Sequence, residues 1–382
     1  GMLGLAHGNF GWELRPDVLH MAQILHHGGY RTAAMGVVHE SRAGAGRCGY
    51  GEHKPPANAR LAADSAIAWM RERPGNDPPF FLSVGFLEPH RLPERRLEEG
   101  LAGELSFPGD HLEPDSSLGV TVPAYLKDTD GARREVAGLQ GAVRHVDEQV
   151  GRILDELDRL KLADSTLVIF TTDHGIAMPR AKCSLYEPGL QIAFLLRLPG
   201  RPGWHGGGVR TELVSNVDVL PTVLEALGVA LPPRLQGRSF APLLDGRDYT
   251  RREYVAAQMT YHDYYDPRRS IRTERFKLIA NFSTAPAFMD PSQRWRPLSD
   301  TVTPPNRALA YHNHLELYDL SVDPWEQRDL AGDPDHAEDL RRMARLLLGH
   351  LRETDDPILR GAVTSPHHTQ TLEMLGQGED AR

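Results

Sequence analysis

Apolar positions along the chain follow two rhythms. Val18, Leu19, Ile24 and Leu25 fall at helical spacing and are closed by Gly28-Gly29, which predicts a short amphipathic helix. Unbroken apolar runs then occur at Thr32 to Val38, Phe80 to Phe86 and Leu167 to Phe170. They are short, rich in β-branched and aromatic residues and bounded by turn formers, the mark of strands covered on both faces. From about residue 133 to 162 the period changes. Val136, Leu139, Val143, Val146, Val150, Ile153, Leu157 and Leu160 share one helical face, so a long helix should lie on the sheet. A further strand near Leu190 to Leu198 and a helix entered through Pro221 and stopped by Gly228 complete a strand-helix alternation. That alternation predicts an α/β, doubly wound sheet sandwiched by helices. Residues 100 to 130, rich in Gly, Pro and Asp, read as a long excursion over the surface.

After roughly Tyr265 the pattern shifts. Arg268 to Phe282 reads as a hairpin, Leu315 to Leu320 as another strand, and Asp333-Pro334 opens a helix that buries Leu340, Met343, Leu347 and Leu351. A smaller C-terminal antiparallel sheet backed by one helix is expected, which divides the chain into domains at 1–265 and 266–382. From Thr364 the sequence is polar and aperiodic and is expected to be loosely held.

Composition narrows the function classes. With 382 residues and 40% hydrophobic content the chain can bury a large core, and no apolar stretch has the length of a bilayer span. A net charge of −9 lacks the basic footprint of a nucleic-acid partner, so an acidic ligand has to be met locally. Cys48 and Cys183 are the two cysteines, too few for a disulfide framework. Cys183, beside Lys182, has no local partner histidine of a cysteine-hydrolase signature.

The candidate chemistry sits where strands end. Asp173-His174-Gly175 follows the Leu167 strand, Glu88 and His90 follow the Phe80 strand, and His39 follows the Thr32 strand. Loops leaving the carboxyl ends of strands are the usual ligand-binding edge of an open α/β sheet. Each group alone could be a turn cap or a surface residue. Three strand ends carrying such groups point to one site.

Several stretches carry a resemblance: "PFFLSVGFLEPHRLP", "LVIFTTDHG…K…YEPG", "VSNVDVLPTVLEALGV", and "SIRTERFKLIANF" followed by "LELYDLSVDPWEQRDLAGDP". In this order they resemble the landmarks of the sulfatase family, within the alkaline phosphatase-like superfamily, over nearly the whole chain. The opening "GMLGLAH", "EPHR" and the loop from Gln258 to Phe282 are most similar to the heparan N-sulfatases, the sulfamidases that act on N-sulfoglucosamine. The resemblance implies an alkaline phosphatase-like fold and hydrolysis of a sulfated sugar, with a divalent cation, calcium or magnesium, and a formylglycine nucleophile. By position, Asp173 and His174 match metal ligands, Lys182 the cation facing the sulfuryl group, His90 the general acid, and His39 the residue that hydrogen-bonds the nucleophile. Arg91, Tyr261, His262 and Arg268 fall where substrate contacts are expected, with Lys182 and His90 also counted among them.

Two departures stand against the family pattern. No Cys/Ser-x-Pro/Ala-x-Arg segment for a formylglycine occurs in the sequence, and the two upstream Asp ligands have no counterpart. "GMLGLAH" would correspond to the stretch after the nucleophile helix, so the sequence is expected to open inside the domain and to be inactive as given. Gly36-Val37-Val38-His39 also replaces the usual Gly-Lys-x-His, so Val37 stands where a lysine would hold the nucleophile. Three readings stay open: a sulfatase-family hydrolase, a phosphoester or phosphonate hydrolase of the same superfamily, and a non-catalytic sugar-binding remnant. Compartment is left open between periplasmic or secreted and cytoplasmic, and a homodimer is an open assembly. No membrane or nucleic-acid partner is expected.

Overall fold

The computed structural model describes residues 10–55, 58–72, 78–93, 105–109, 111–262, 264–283, 298–302 and 312–376. Its elements are α1 (Met21–His27), β1 (Arg31–Gly36), β2 (Glu52–Lys54), α2 (Ala59–Arg71), β3 (Phe80–Gly85) and the two-residue strands β4 (Leu92–Pro93) and β5 (Leu105–Ser106). They continue with α3 (Asp130–Arg159), β6 (Val168–Thr171), α4 (Glu187–Leu190), β7 (Phe194–Arg197), α5 (Val219–Leu227) and α6 (Ala241–Leu244). The C-terminal part holds β8 (Val255–Tyr261), β9 (Tyr265–Arg272), β10 (Phe276–Asn281), β11 (Leu315–Asp319), α7 (Ala337–Glu353) and α8 (Pro366–Met374).

β2, β1 and β3 form a parallel sheet in that order, and strand alternation sorts its side chains onto two helical layers. Ala33 and Met35 of β1, with Phe80, Leu82 and Val84 of β3, pack on Trp69 and Met70 of α2 and Leu157 of α3. Ala34 and Phe81 face the other way, toward Ala22 of α1, and Phe81 also packs with Leu224 of α5. The expected sandwich is therefore present. Helix α2 was not anticipated, since its face is built from alanines that carry little periodic contrast; Asn58 starts it by accepting from Leu61 N at 3.0 Å. In the long helix α3, Val136, Val146 and Leu157 are buried as expected, but Val143 is 48% exposed.

β6 pairs antiparallel with β7, in register from Val168↔Arg197 to Thr171↔Phe194, as a separate ribbon. Its Val168 packs against the β1–β3 core. The region expected as a surface excursion is better packed than its composition implied. Phe107, Tyr125 and Leu126 bury against Val136 and Ala142 of α3 and against Met178 and Ala181.

The C-terminal sheet is antiparallel in the order β11-β10-β9-β8. Strand β8, which precedes the expected boundary at residue 266, pairs with β9 from Val255↔Arg272 to Tyr261↔Tyr265. One face, with Ile271, Phe276, Leu278 and Leu317, packs on Met343, Leu347 and Leu351 of α7. On the other face, Ile279 and Tyr318 meet Leu185 and Tyr186, so this sheet carries the loop that contains Lys182. The tail expected to be loose forms α8, capped by Ser365 and tied to the N-terminal arm by His367 N donating to Phe10 O at 3.0 Å.

Candidate active site

β1 and β3 run parallel and adjacent, so the loops carrying His39 and His90 leave at the same end of the sheet. Val37 N donates to Gly85 O at 2.9 Å and extends the pairing one residue. Gly36, at φ 94, is required at this exit: a Cβ there would lie 2.0 Å from Gly85 O. His39 is exposed two residues beyond Val37, which is half-buried and brings no charge.

The His90 loop is fixed on both sides of the imidazole. Glu88 is buried, and its carboxylate accepts from Ala59 N, at the N-terminus of α2, at 2.8 Å. Its other oxygen meets His111 Nε2 at 2.9 Å. Arg91, expected as a substrate contact, lies under the loop instead. It pairs with buried Glu135 at 2.6 Å, donates from Nε to Ala177 O at 2.9 Å and stacks on the Phe107 ring at 4.1 Å. Those bonds leave Arg91 a supporting position rather than an open one. His90 itself stays exposed, and its Nδ1 donates to Arg91 O at 2.8 Å, which leaves Nε2 with the lone pair in the neutral ring.

The loop after β6 supplies the other groups. His174 Nδ1 donates to Gly175 O at 2.7 Å, again leaving Nε2 with the lone pair in the neutral ring, 3.6 Å from Asp173 Oδ1. The Asp173 side chain is 88% exposed. Gly175 has no room for a side chain, since a Cβ would lie 1.9 Å from Pro188 O, and Gly175 N donates to Gly189 O at 2.9 Å. The chain then turns so that Lys182 Nζ reaches His90 Nε2 at 3.2 Å. The partly dehydrated setting and, next, the Lys182 ammonium push His90 below its ordinary value. His174 is lowered chiefly by loss of water, with Asp173 acting in the opposite direction and Lys182 and His262 adding to the lowering.

His262, just past β8, is thus part of this charge cluster, whereas its neighbour Tyr261 is not. The Tyr261 hydroxyl donates to Val363 O at 2.5 Å, and its ring packs on Phe10 at 4.8 Å and Tyr265 at 5.0 Å. Arg268, also expected at the sugar, is buried and paired with Asp266 at 2.5 Å. Sequence reasoning missed the supporting residues His111 and Glu135, which stand in no recognisable motif, and Arg180, which lies within the quoted Leu167–Gly189 stretch but was not singled out there.

For a divalent cation, Asp173 offers a carboxylate and His174 a neutral Nε2 whose tautomer is fixed by a backbone carbonyl, as metal-bound imidazoles commonly are. Those two fit part of a cation site. Among the described residues no third His, Cys, Asp or Glu joins them, and calcium or magnesium takes about six ligands or more.

A sequence model described as Sulfatase matches residues 2–229, and one described as N-sulphoglucosamine sulphohydrolase, C-terminal, matches residues 179–291. Human N-sulphoglucosamine sulphohydrolase is 30% identical over 318 residues, covering 74% of this chain and 62% of that protein. An ulvan-active sulfatase of Formosa agariphila is 29% identical over 238 residues, 60% of this chain and 46% of that one. The chain therefore spans less than two thirds of these relatives. Among solved structures, a protein in complex with its substrate D-glucosamine-2-N,6-O-disulfate superposes with a TM-score of 0.66 at 17% identity, over 92% of this chain and 85% of that one. A phosphonate monoester hydrolase from Silicibacter pomeroyi superposes at 0.62 with 18% identity, over 91% and 82%. These likenesses establish an alkaline phosphatase-like α/β fold with a separate antiparallel sheet. With the family match spanning well over half of its 382 residues, this chain belongs to the sulfatase family.

Proposed function

We propose that the chain carries the sulfuryl-binding and proton-donating side of a sulfatase-family hydrolase site, for an N-sulfated glucosamine. The observation that carries this reading is the Lys182 Nζ to His90 Nε2 contact at 3.2 Å beside Asp173 and His174. Lys182 is a mobile point charge suited to a sulfuryl oxygen. While it faces His90 alone it keeps the imidazole neutral. A sulfuryl anion seated against Lys182 offsets that charge, so Nε2 can hold a proton toward the leaving nitrogen or oxygen. Asp173 and His174 would contribute to holding a divalent cation, which when bound acts as a Lewis acid on a sulfuryl oxygen. The sugar class is supported by the C-terminal family match, whose span includes both Lys182 and His262.

The nucleophile is a separate matter. No formylglycine segment occurs within these 382 residues, and Val37 stands where the family pattern has a lysine, so these residues by themselves should bind sulfamate without turning it over. The phosphonate reading has support at the level of fold alone.

The test is calorimetric titration of the protein with N-sulfoglucosamine, glucosamine, phenyl sulfate and methyl phosphonate, with sulfate release followed in the same samples. N-sulfoglucosamine should bind tightest, and sulfate release should match a boiled control. Equal or tighter binding of methyl phosphonate or phenyl sulfate contradicts the substrate assignment, and release above the control contradicts the account of the nucleophile.

A further inference from the structure

Lys277 is a lysine with no exposure to solvent, in the middle of β10 of the C-terminal sheet, far in sequence from the strand ends that carry the site. Alternation explains where it points. Phe276 and Leu278 face α7, so Lys277 and Ile279 face the loop that runs from the end of β6 to α4. There its Nζ pairs with Glu187 at 3.0 Å and Glu326 at 2.9 Å, both carboxylates being buried. Glu326 also accepts from Glu187 N at 2.6 Å, and Arg272 approaches Glu187 at 3.3 Å. Arg180, two residues before Lys182, donates to Trp325 O at 2.9 Å and to Glu326 O, and stacks on Tyr186 at 3.8 Å.

This arrangement brackets Lys182. Arg180 ties one side of its turn to the Trp325-Glu326 segment, and Glu187 ties the other side to Lys277 and to that same segment. Between them Lys182 N donates to Ile176 O at 3.0 Å, Ala181 N to Met178 O at 3.1 Å and Ser184 N to Ala181 O at 3.1 Å. A buried ion cluster is a poor device for stability, because desolvation offsets most of its Coulomb gain, and apolar replacements of similar volume are often no worse. What charge pairs supply is a defined geometry, as angular preferences and matched donors fix one register.

We infer that the buried Lys277, Glu187 and Glu326 cluster, together with the Arg180 strap, is a positioning device of the C-terminal sheet that holds the Lys182 ammonium against His90. This rests on the reading of Lys182 and His90 as the sulfuryl-facing pair. The four residues are positioning residues, since none touches the reacting groups. The cluster would couple the smaller sheet to the site through the loop rather than through ligand contact.

The test reads the titration midpoint of His90 by NMR of the protein labelled at the histidine Cε1, where the titratable neighbours are Lys182, His174 and Asp173. Lys182→Met should raise the midpoint. The double variant Lys277→Met/Glu326→Leu, which removes one charge of each sign, should raise it in the same direction. So should Arg180→Gln, which leaves no buried ion unpaired and stands in if the double variant does not fold. In a Lys182→Met background neither should add a further shift, because the effect travels through Lys182. An unchanged midpoint in folded Arg180→Gln and double variants, or the same shift with Lys182 already removed, overturns the inference while leaving the Lys182 and His90 pair intact. An unchanged midpoint in Lys182→Met itself overturns both the inference and the proposed site.

Discussion

Lys182 Nζ lies 3.2 Å from His90 Nε2 although 92 residues separate them. His90 Nδ1 is committed to Arg91 O, so Nε2 is the only ring atom left to meet the ammonium, and it meets it as an acceptor. The pair thus holds a neutral imidazole beside a cation, an arrangement that awaits an anion.

Proton linkage follows from that geometry. His90 titrates below its ordinary 6.5 in the free protein, so near neutral pH it is uncharged. An anion that offsets Lys182 raises the His90 midpoint, so binding takes up a proton and affinity rises as the pH falls below neutral. Titration with N-sulfoglucosamine in two buffers of different ionisation enthalpy, repeated at stepwise pH below neutral, should show net proton uptake, absent in His90→Gln. Proton release, or uptake of equal size in His90→Gln, would show that His90 does not sense the ligand.

Metal affinity should be weak. Among the described residues two donors, Asp173 and His174, come together, a fraction of the shell a hard cation needs. Calcium or magnesium should bind this protein no tighter than about 10⁻⁴ M, the range of sparsely liganded sites, and Asp173→Asn should remove what binding there is. Tight stoichiometric binding by calorimetry would show that other residues complete the site.

Acid stability should depend on Glu316. Burial alone would raise its pKa, but hydrogen bonds with His312, Tyr318 and Tyr186 prevail and hold it at about 2, against an ordinary 4.5. A depressed carboxylate contributes stability that is present above 4.5 and lost as the pH falls toward 2. Urea midpoints measured from pH 5 to pH 2.5 should therefore fall more steeply for the native protein than for Glu316→Gln. Equal slopes would remove Glu316 from the account.

Core packing of the smaller sheet gives a simpler expectation. Leu347 of α7 is buried against β9, β10 and β11, and Leu347→Ala should cost roughly 2–5 kcal/mol in denaturant unfolding. A loss below about 1 kcal/mol would mean that the helix does not cover the sheet as described.

The sequence made some of this legible and not the rest, for physical reasons. Asp173, His174 and His90 stand just beyond strand ends, and buried strands are visible as apolar runs, so their meeting at one edge could be anticipated, whereas Lys182, deep in the loop after β6, is placed there by the family resemblance alone. His262 could be placed in the region, but Tyr261 is committed to Val363, 102 residues away, a contact that no local pattern reveals. Arg91 and Arg268 read as substrate contacts from their place in the family resemblance; their buried partners, Glu135 and Asp266, belong to contacts that no local pattern shows. Helix α2 hid in an alanine-rich stretch, and the packing of Phe107 and Tyr125 hid in a stretch whose composition reads as loop.

The most direct measurement of the central claim is the affinity of the protein for N-sulfoglucosamine with and without the Lys182 ammonium. One charge-assisted contact contributes about 1.5–3 kcal/mol, so Lys182→Ala should weaken binding roughly 10- to 100-fold by calorimetry, with thermal unfolding unchanged. Unaltered affinity in a folded Lys182→Ala protein would contradict the assignment of this edge as the sulfuryl site.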